Sequence, residues 1–245
     1  MQERTVDITT RDGQMNTWVF HPDRPGPHPV ILFYMDSLGI REELCDMARR
    51  LATVGYYVLM PNLYYRMARS VDLDGDGIHD PAYAGSLELM WKLNRSLTNT
   101  MVEQDTQAMF AFLDTEAAAR PGKVGAVGYC MSGRFVFRVA GAFPDRIAAS
   151  ASMYGARLIT DLPDSAHLLA ERIRGEMYFG CAQFDEYAPQ EVIDRLRGII
   201  ADTKINASIE VYPEAHHGFA FHTRKTVYHK AASERHYERL FDLFR

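Results

Sequence analysis

Val30-Ile31-Leu32-Phe33-Tyr34-Met35 is an unbroken apolar run between Pro29 and Asp36. It has the length of a strand, and a strand without polar alternation must be covered on both faces. Further strand-like stretches follow at Tyr56 to Met60 (stopped by Pro61), Lys123 to Val127, Ile147 to Met153, Glu176 to Cys181 and Ala207 to Tyr212. Between them, apolar residues recur at helical spacing: Leu44, Met47, Ala48 and Leu51, ended by Gly55, then Val102, Met109, Phe112 and Leu113. Further helical patterns run from Arg134 to Ala140, through Val192, Leu196 and Ile199, and through Tyr237, Leu240, Phe241 and Phe244. Strand alternating with helix predicts a parallel sheet between two helical layers. Alternation at Thr5 to Thr9 and Thr17 to Phe20, around Asp12-Gly13, adds an opening antiparallel pair. The expected fold class is α/β, with a mostly parallel central sheet of about eight strands and helices on both faces. Asn62 to Leu97 reads as a longer, less regular stretch. No repeat, low-complexity tract or linker interrupts the chain, so residues 1–245 read as one domain.

Composition narrows the function. A net charge of -5 offers no general attraction to nucleic acid or anionic membrane, and no apolar run approaches the ~20 residues that span a bilayer. Three cysteines, at 45, 130 and 181, show no framework spacing. Together with an N-terminus that lacks a signal-peptide layout, they lead us to expect a cytoplasmic protein. A monomer or a homodimer fits equally well.

The reactive feature is Gly128-Tyr129-Cys130-Met131-Ser132-Gly133, between an apolar run and a helical pattern. Strand, glycine-flanked sharp turn, then helix is the setting of a nucleophile elbow, in which crowding forces the central side chain out above the sheet. Here that side chain is a thiol, and a helix N-terminus favours thiolate. A thiol nucleophile needs a base, and the base an orienting carboxylate. After the strand ending at Cys181 comes Asp185, with Glu186 as its rival. After the strand ending at Tyr212 come His216 and His217. The residues alone do not separate the two histidines.

These residues carry a resemblance to the dienelactone hydrolase family of the α/β-hydrolase fold. It extends over nearly the whole chain and rests on Gly128-Tyr129-Cys130-Met131, on Asp185 before Pro189, and on Tyr212-x-x-Ala215-x-His217-x-Phe219, with Pro61-Asn62-Leu63-Tyr64-Tyr65-Arg66 as a softer marker. The resemblance implies Cys130 as nucleophile, His217 as base and Asp185 as its partner. It implies an oxyanion hole from the N–H groups of Met131 and Ser37. It also implies that Asp36, where the family usually has glutamate, interacts with the resting thiol. The alternative for Asp36 is a strand-end carboxylate capping the helix that begins near Arg41. The implied activity is hydrolysis of small carboxylic esters or lactones, through a thioester and with no cofactor. A non-catalytic binding protein and a redox-sensing thiol, pairing with Cys181, are the competing readings.

The chain departs from the family at the substrate. The arginines that hold the carboxylate of small dienelactones are absent, with Phe221 at one position and no arginine at the other, which the resemblance puts in a helix around Leu87 and Glu88. His222, Arg66 or Arg95 could stand in. Tyr34, Tyr64, Tyr65, Trp91, Phe219 and Phe221 are candidates to line an aromatic cleft, which favours an uncharged or aromatic ester. Ser132 replaces the family's usual glycine. Asp72 to Asp80 resembles the start of a calcium loop, but Tyr83 occupies the position that requires glutamate, so a solvated turn is expected. A metal site from His216, His217, His222 and Asp185 is not expected. Nor is a phosphate loop, because Val124 follows Gly122-Lys123.

Overall fold

The computed structural model describes residues 1–73 and 84–245. Eight strands form one sheet: β1 (Gln2–Thr10), β2 (Gly13–His21), β3 (Val30–Tyr34), β4 (Tyr57–Pro61), β5 (Val124–Tyr129), β6 (Ile147–Met153), β7 (Glu176–Phe184) and β8 (Ala207–His216). Their spatial order is β1-β2-β4-β3-β5-β6-β7-β8. β1 and β2 are antiparallel, and β2 joins β4 antiparallel at Thr17↔Pro61; every other pair is parallel. The helices are α1 (Glu42–Thr53), α2 (Ala84–Arg95), α3 (Asn99–Leu113), α4 (Gly133–Ala142), α5 (Gln190–Thr203) and α6 (Lys230–Leu243). The calcium-like pattern lies mostly in 74–83, outside the described residues.

β3 and β4 are buried at every position, as their unbroken apolar runs require. The two faces of β5 show why. A Cβ on Gly128 would meet Val136 of α4, whereas one on Gly125 would meet Phe244, just beyond α6. Those residues differ in parity along the strand, so α4 and α6 cover opposite faces. Each helix buries one apolar stripe, as α1 does with Leu44, Met47, Ala48 and Leu51. Val54 caps α1, and Gly55 leaves it at φ 127°. Thr98 begins α3 by accepting a hydrogen bond from the Met101 N–H at 3.1 Å.

Three segments differ from expectation. α2 is a regular helix inside the stretch whose local pattern reads as less regular, where only the resemblance implied a helix around Leu87 and Glu88. A 3₁₀ helix at Ala166–Arg172 was not anticipated either. β7 and β8 run on together past Cys181 and Tyr212, through Ala182↔Tyr212 and Phe184↔His216, with a register shift between Ala182 and Phe184. Pro213 and the left-handed Glu214 (φ 59°) mask this extension in the sequence pattern. The carboxyl ends of β3 to β8 all reach one edge of the sheet, where open α/β sheets bind ligands. No helix among the described residues is long and apolar enough to cross a membrane.

Candidate active site

Cys130 immediately follows β5, with its backbone at φ 53°, the left-handed region that side chains normally avoid. Two glycines permit that turn. A Cβ on Gly128 would lie 2.5 Å from the Ser132 carbonyl oxygen, and one on Gly133 would lie 2.4 Å from Gly155 Cα. The Cys130 carbonyl accepts the Ala156 N–H at 2.9 Å, fastening the turn to the loop after β6. Ser132 donates its hydroxyl to the Met35 carbonyl, tying the turn to the end of β3. A serine at this point therefore braces two loops of the site.

Asp185 follows β7 and His217 follows β8. His217 Nδ1 donates to Asp185 Oδ2 at 2.8 Å. The other carboxylate oxygen accepts the Tyr187 and Ala188 N–H groups at 2.9 and 3.2 Å. The His217 N–H in turn donates to the Phe184 carbonyl at 3.2 Å. This leaves Nε2 buried without a hydrogen-bond partner, in a cleft that Cys130 also lines. Burial alone would push the Cys130 thiol up, but the His217 imidazolium outweighs burial and holds it below the ordinary thiol range. Burial would pull His217 down, yet the thiolate and Asp185 raise it well above the usual imidazole range. The two shifts run in opposite directions, as expected when a thiol and an imidazole titrate as a coupled pair. His216, the rival histidine, is exposed and packs on Phe184 at 5.1 Å, and His222 lies 3.5 Å from Glu43.

Asp36 and Ser37, after β3, divide unexpectedly. The Asp36 carboxylate takes Arg41 through both oxygens, at 2.6 and 3.2 Å, and the Leu38 N–H at 3.2 Å. It makes no hydrogen bond to Cys130 and none that caps α1. Arg41 also holds Glu43 at 2.8 Å, so the short carboxylate is drawn onto a guanidinium shared by two acids. Ser37 is the residue near sulfur, with Oγ 3.7 Å from Cys130 Sγ. Tyr64 fixes that loop by donating its hydroxyl to the Ser37 carbonyl at 2.9 Å. The N–H groups of Met131 and Ser37 donate to no carbonyl among the described turns and loops, and both residues line the cleft.

The cleft offers a cavity of about 140 Å³, room for a small molecule of roughly benzene's size. Of the aromatic residues expected there, Trp91 lines it, 6.4 Å from the ring of Tyr187. Tyr34, Tyr64, Tyr65, Phe219 and Phe221 do not. Tyr64 is turned into the core toward Ser37 and Met131, and Phe219 packs between Tyr154 and Tyr212. Phe221 lies beneath the Arg41 guanidinium. Arg66 is also displaced, because Asp105 at 2.7 Å and Asp12 at 2.8 Å hold it outside the cleft lining.

Arg134, Arg157 and Arg224 line the cleft instead, and sequence reasoning passed over all three. Arg134 is 5% exposed; among the described residues its Nε has no partner, and its guanidinium donates to the Leu97 carbonyl at 3.5 Å. Burial, and then the nearby Arg157, pull its guanidinium down to about 10, so it stays charged at neutral pH. The Nε of Arg224 is likewise buried and unpartnered. Among the described residues none of the three meets a carboxylate within salt-bridge distance. The one sequence signal was Arg134 itself, a charge in the first turn of a mostly apolar helix.

Comparison with known proteins places the chain in a family. The model of the dienelactone hydrolase family matches residues 15–245. A Synechocystis protein named "Putative carboxymethylenebutenolidase" is 25% identical over 98% of this chain and 94% of its own. A Yersinia pestis protein of the same name is 29% identical over 97% of this chain and 85% of its own. In fold, the chain is similar to the crystal structure titled "Putative Dienelactone Hydrolase" from Klebsiella pneumoniae, with a TM-score of 0.86, 21% identity, and 99% and 98% of the two chains covered. A Pyrococcus horikoshii acylaminoacyl peptidase also shares the fold, with a TM-score of 0.73, 16% identity, and 99% of this chain and 41% of that one covered. This chain belongs to the dienelactone hydrolase family and is a carboxylic ester hydrolase of the ester or lactone type on the α/β-hydrolase fold.

Proposed function

We propose that the protein hydrolyses small esters or lactones by covalent catalysis at Cys130, with His217 as base and Asp185 orienting it. The observation that carries this reading is the His217 ring. Asp185 pins one nitrogen at 2.8 Å, and the other is left buried and unpaired in the cleft that holds the thiol. The Cys130 thiolate attacks the carbonyl carbon, and the oxyanion is held by the N–H groups of Met131 and Ser37. Collapse forms the thioester, and the departing alkoxide takes the proton from His217. Water then gives a proton to His217 and attacks the thioester, which releases the acid and restores the thiolate. In a lactone the alkoxide stays tethered, and one ring-opened product leaves. Cys130→Ala should abolish ester hydrolysis while circular dichroism stays unchanged, and rapid quenching of the wild type should trap an acyl adduct on the Cys130 peptide. Hydrolysis that survives the substitution would overturn the reading.

The cleft arginines revise the expected substrate. A buried guanidinium with an unpaired donor is costly unless a bound anion completes it. The substrate class we infer is an ester or lactone that carries a carboxylate or similar anion, not the uncharged ester that the missing family arginines suggested. The test compares kcat/KM for an ester bearing a free carboxylate with that for its methyl ester. The wild type should prefer the acid, and Arg134→Met should lower that preference ~10–100-fold, the value of a charged hydrogen bond. Equal rates on both esters in both proteins would remove the anion from the proposal.

A further inference from the structure

Asn94, on α2, is buried at the cleft wall, and its Nδ2 donates to Ser37 Oγ at 2.9 Å. An amide nitrogen only donates, so Ser37 Oγ accepts there with a lone pair and keeps its single proton for another partner. The Ser37 carbonyl is a separate group, already occupied by Tyr64. The neighbour that remains for the hydroxyl proton is Cys130 Sγ, 3.7 Å away, within hydrogen-bond reach of sulfur. The three groups therefore form a directed line from α2 through the loop after β3 to the elbow. Asp36 cannot take this place, because Arg41 and the Leu38 N–H occupy its carboxylate.

We propose that Asn94 is a positioning residue that aims the Ser37 hydroxyl at the Cys130 thiolate, so that Ser37 holds the resting nucleophile in its reactive form. The inference rests on Cys130 as nucleophile and adds the groups that regulate it. Once the thiolate becomes a thioester, its sulfur is a poor acceptor, and the Ser37 hydroxyl loses that partner. The line therefore stabilises the free enzyme's anion and not the acylated state. Other charged or titratable groups act on the same sulfur from every side. They are His217 after β8, Asp36 after β3, Tyr64 after β4, Arg134 on α4, Tyr154 after β6 and Tyr187 after β7. The test must therefore isolate the hydroxyl from these fixed neighbours.

The experiment follows iodoacetamide alkylation of Cys130 against pH, read by mass spectrometry of the Cys130 peptide so that Cys45 and Cys181 do not contribute. Ser37→Ala should raise the midpoint of thiolate formation by about one pH unit, which is tenfold less thiolate on the acid side. Ser37→Thr, which keeps the hydroxyl, should restore the wild-type midpoint. Asn94→Leu should raise it by a smaller amount, and adding Asn94→Leu to Ser37→Ala should raise it no further, because the amide acts only through the hydroxyl. Should Ser37→Ala fail to fold, Asn94→Leu alone still carries the test. An unchanged midpoint in both single variants, or an equal shift from Asn94→Leu with and without Ser37, overturns the proposal. Alkylation does not depend on ester turnover, so a failure here is distinct from hydrolysis surviving Cys130→Ala.

Discussion

Asp185 uses its two oxygens differently, and that division governs His217. One oxygen accepts two backbone N–H groups and fixes the carboxylate, while the other fixes the imidazole tautomer with Nδ1–H toward it. Asp185→Asn keeps the shape but offers the ring an amide that can donate, which favours the wrong tautomer. We expect kcat to fall ~100-fold or more with little change in KM, measured by steady-state hydrolysis of an aryl ester. A change confined to KM would show that Asp185 shapes the cleft and does not orient the base. At this scale the sequence was informative where chain order restricts chemistry. Cys130, Asp185 and His217 stand after β5, β7 and β8, in the order the architecture demands. Asn94, Arg134, Arg157 and Arg224 come from four separate segments and share no motif, so only the folded cleft brings them together. Asp36 illustrates the opposite case, a residue found by resemblance whose partner is decided by an arginine five positions away.

At the scale of elements, the strand–turn–helix unit of β5, the elbow and α4 works as one part. Its tolerance for change is set by backbone contacts. A methyl at Gly128 would lie 2.5 Å from the Ser132 carbonyl oxygen and 2.6 Å from Val136 Cγ2, and the carbonyl cannot give way without moving the turn. Gly128→Ala should therefore cost ~1–3 kcal/mol, seen as a lower urea midpoint, and should reduce thiol reactivity as Cys130 shifts. Full stability with normal alkylation would mean that the turn relaxes freely. This unit was legible because a continuous apolar run met a glycine-bounded turn. α2 was not, although Leu87, Met90, Trp91 and Asn94 recur at helical spacing. The aspartate- and glycine-rich residues before it pulled the whole stretch toward an irregular reading. The ends of β7 and β8 were missed for a different reason. Pairing between two edge-ward strands extended them past a proline that local pattern treats as a stop.

For the whole molecule, the docking of α6 against β5 links folding to protons through His236. This residue is fully buried, its Nδ1 donates to the Ser233 carbonyl, and its Nε2 accepts the Tyr129 hydroxyl at 3.3 Å. Those bonds use the one N–H and the one lone pair of a neutral ring. A second proton would face Tyr129 and a dry core. Burial lowers the folded-state pKa of His236 to about 4, with the Ser233 hydrogen bond opposing and Arg50 reinforcing the shift. The unfolded chain takes up this proton near pH 6.5 and the folded chain only near 4, so between those values the unfolded state binds more protons. Stability is therefore complete above pH 6.5 and falls as pH drops toward 4, by about 3 kcal/mol over the whole interval. Urea unfolding at pH 7 and pH 5 checks this, since the wild type should lose about 2 kcal/mol more between them than His236→Phe, whatever the two proteins' stabilities at pH 7. An equal loss in both proteins would assign the acid sensitivity to carboxylates elsewhere and leave His236 as packing alone.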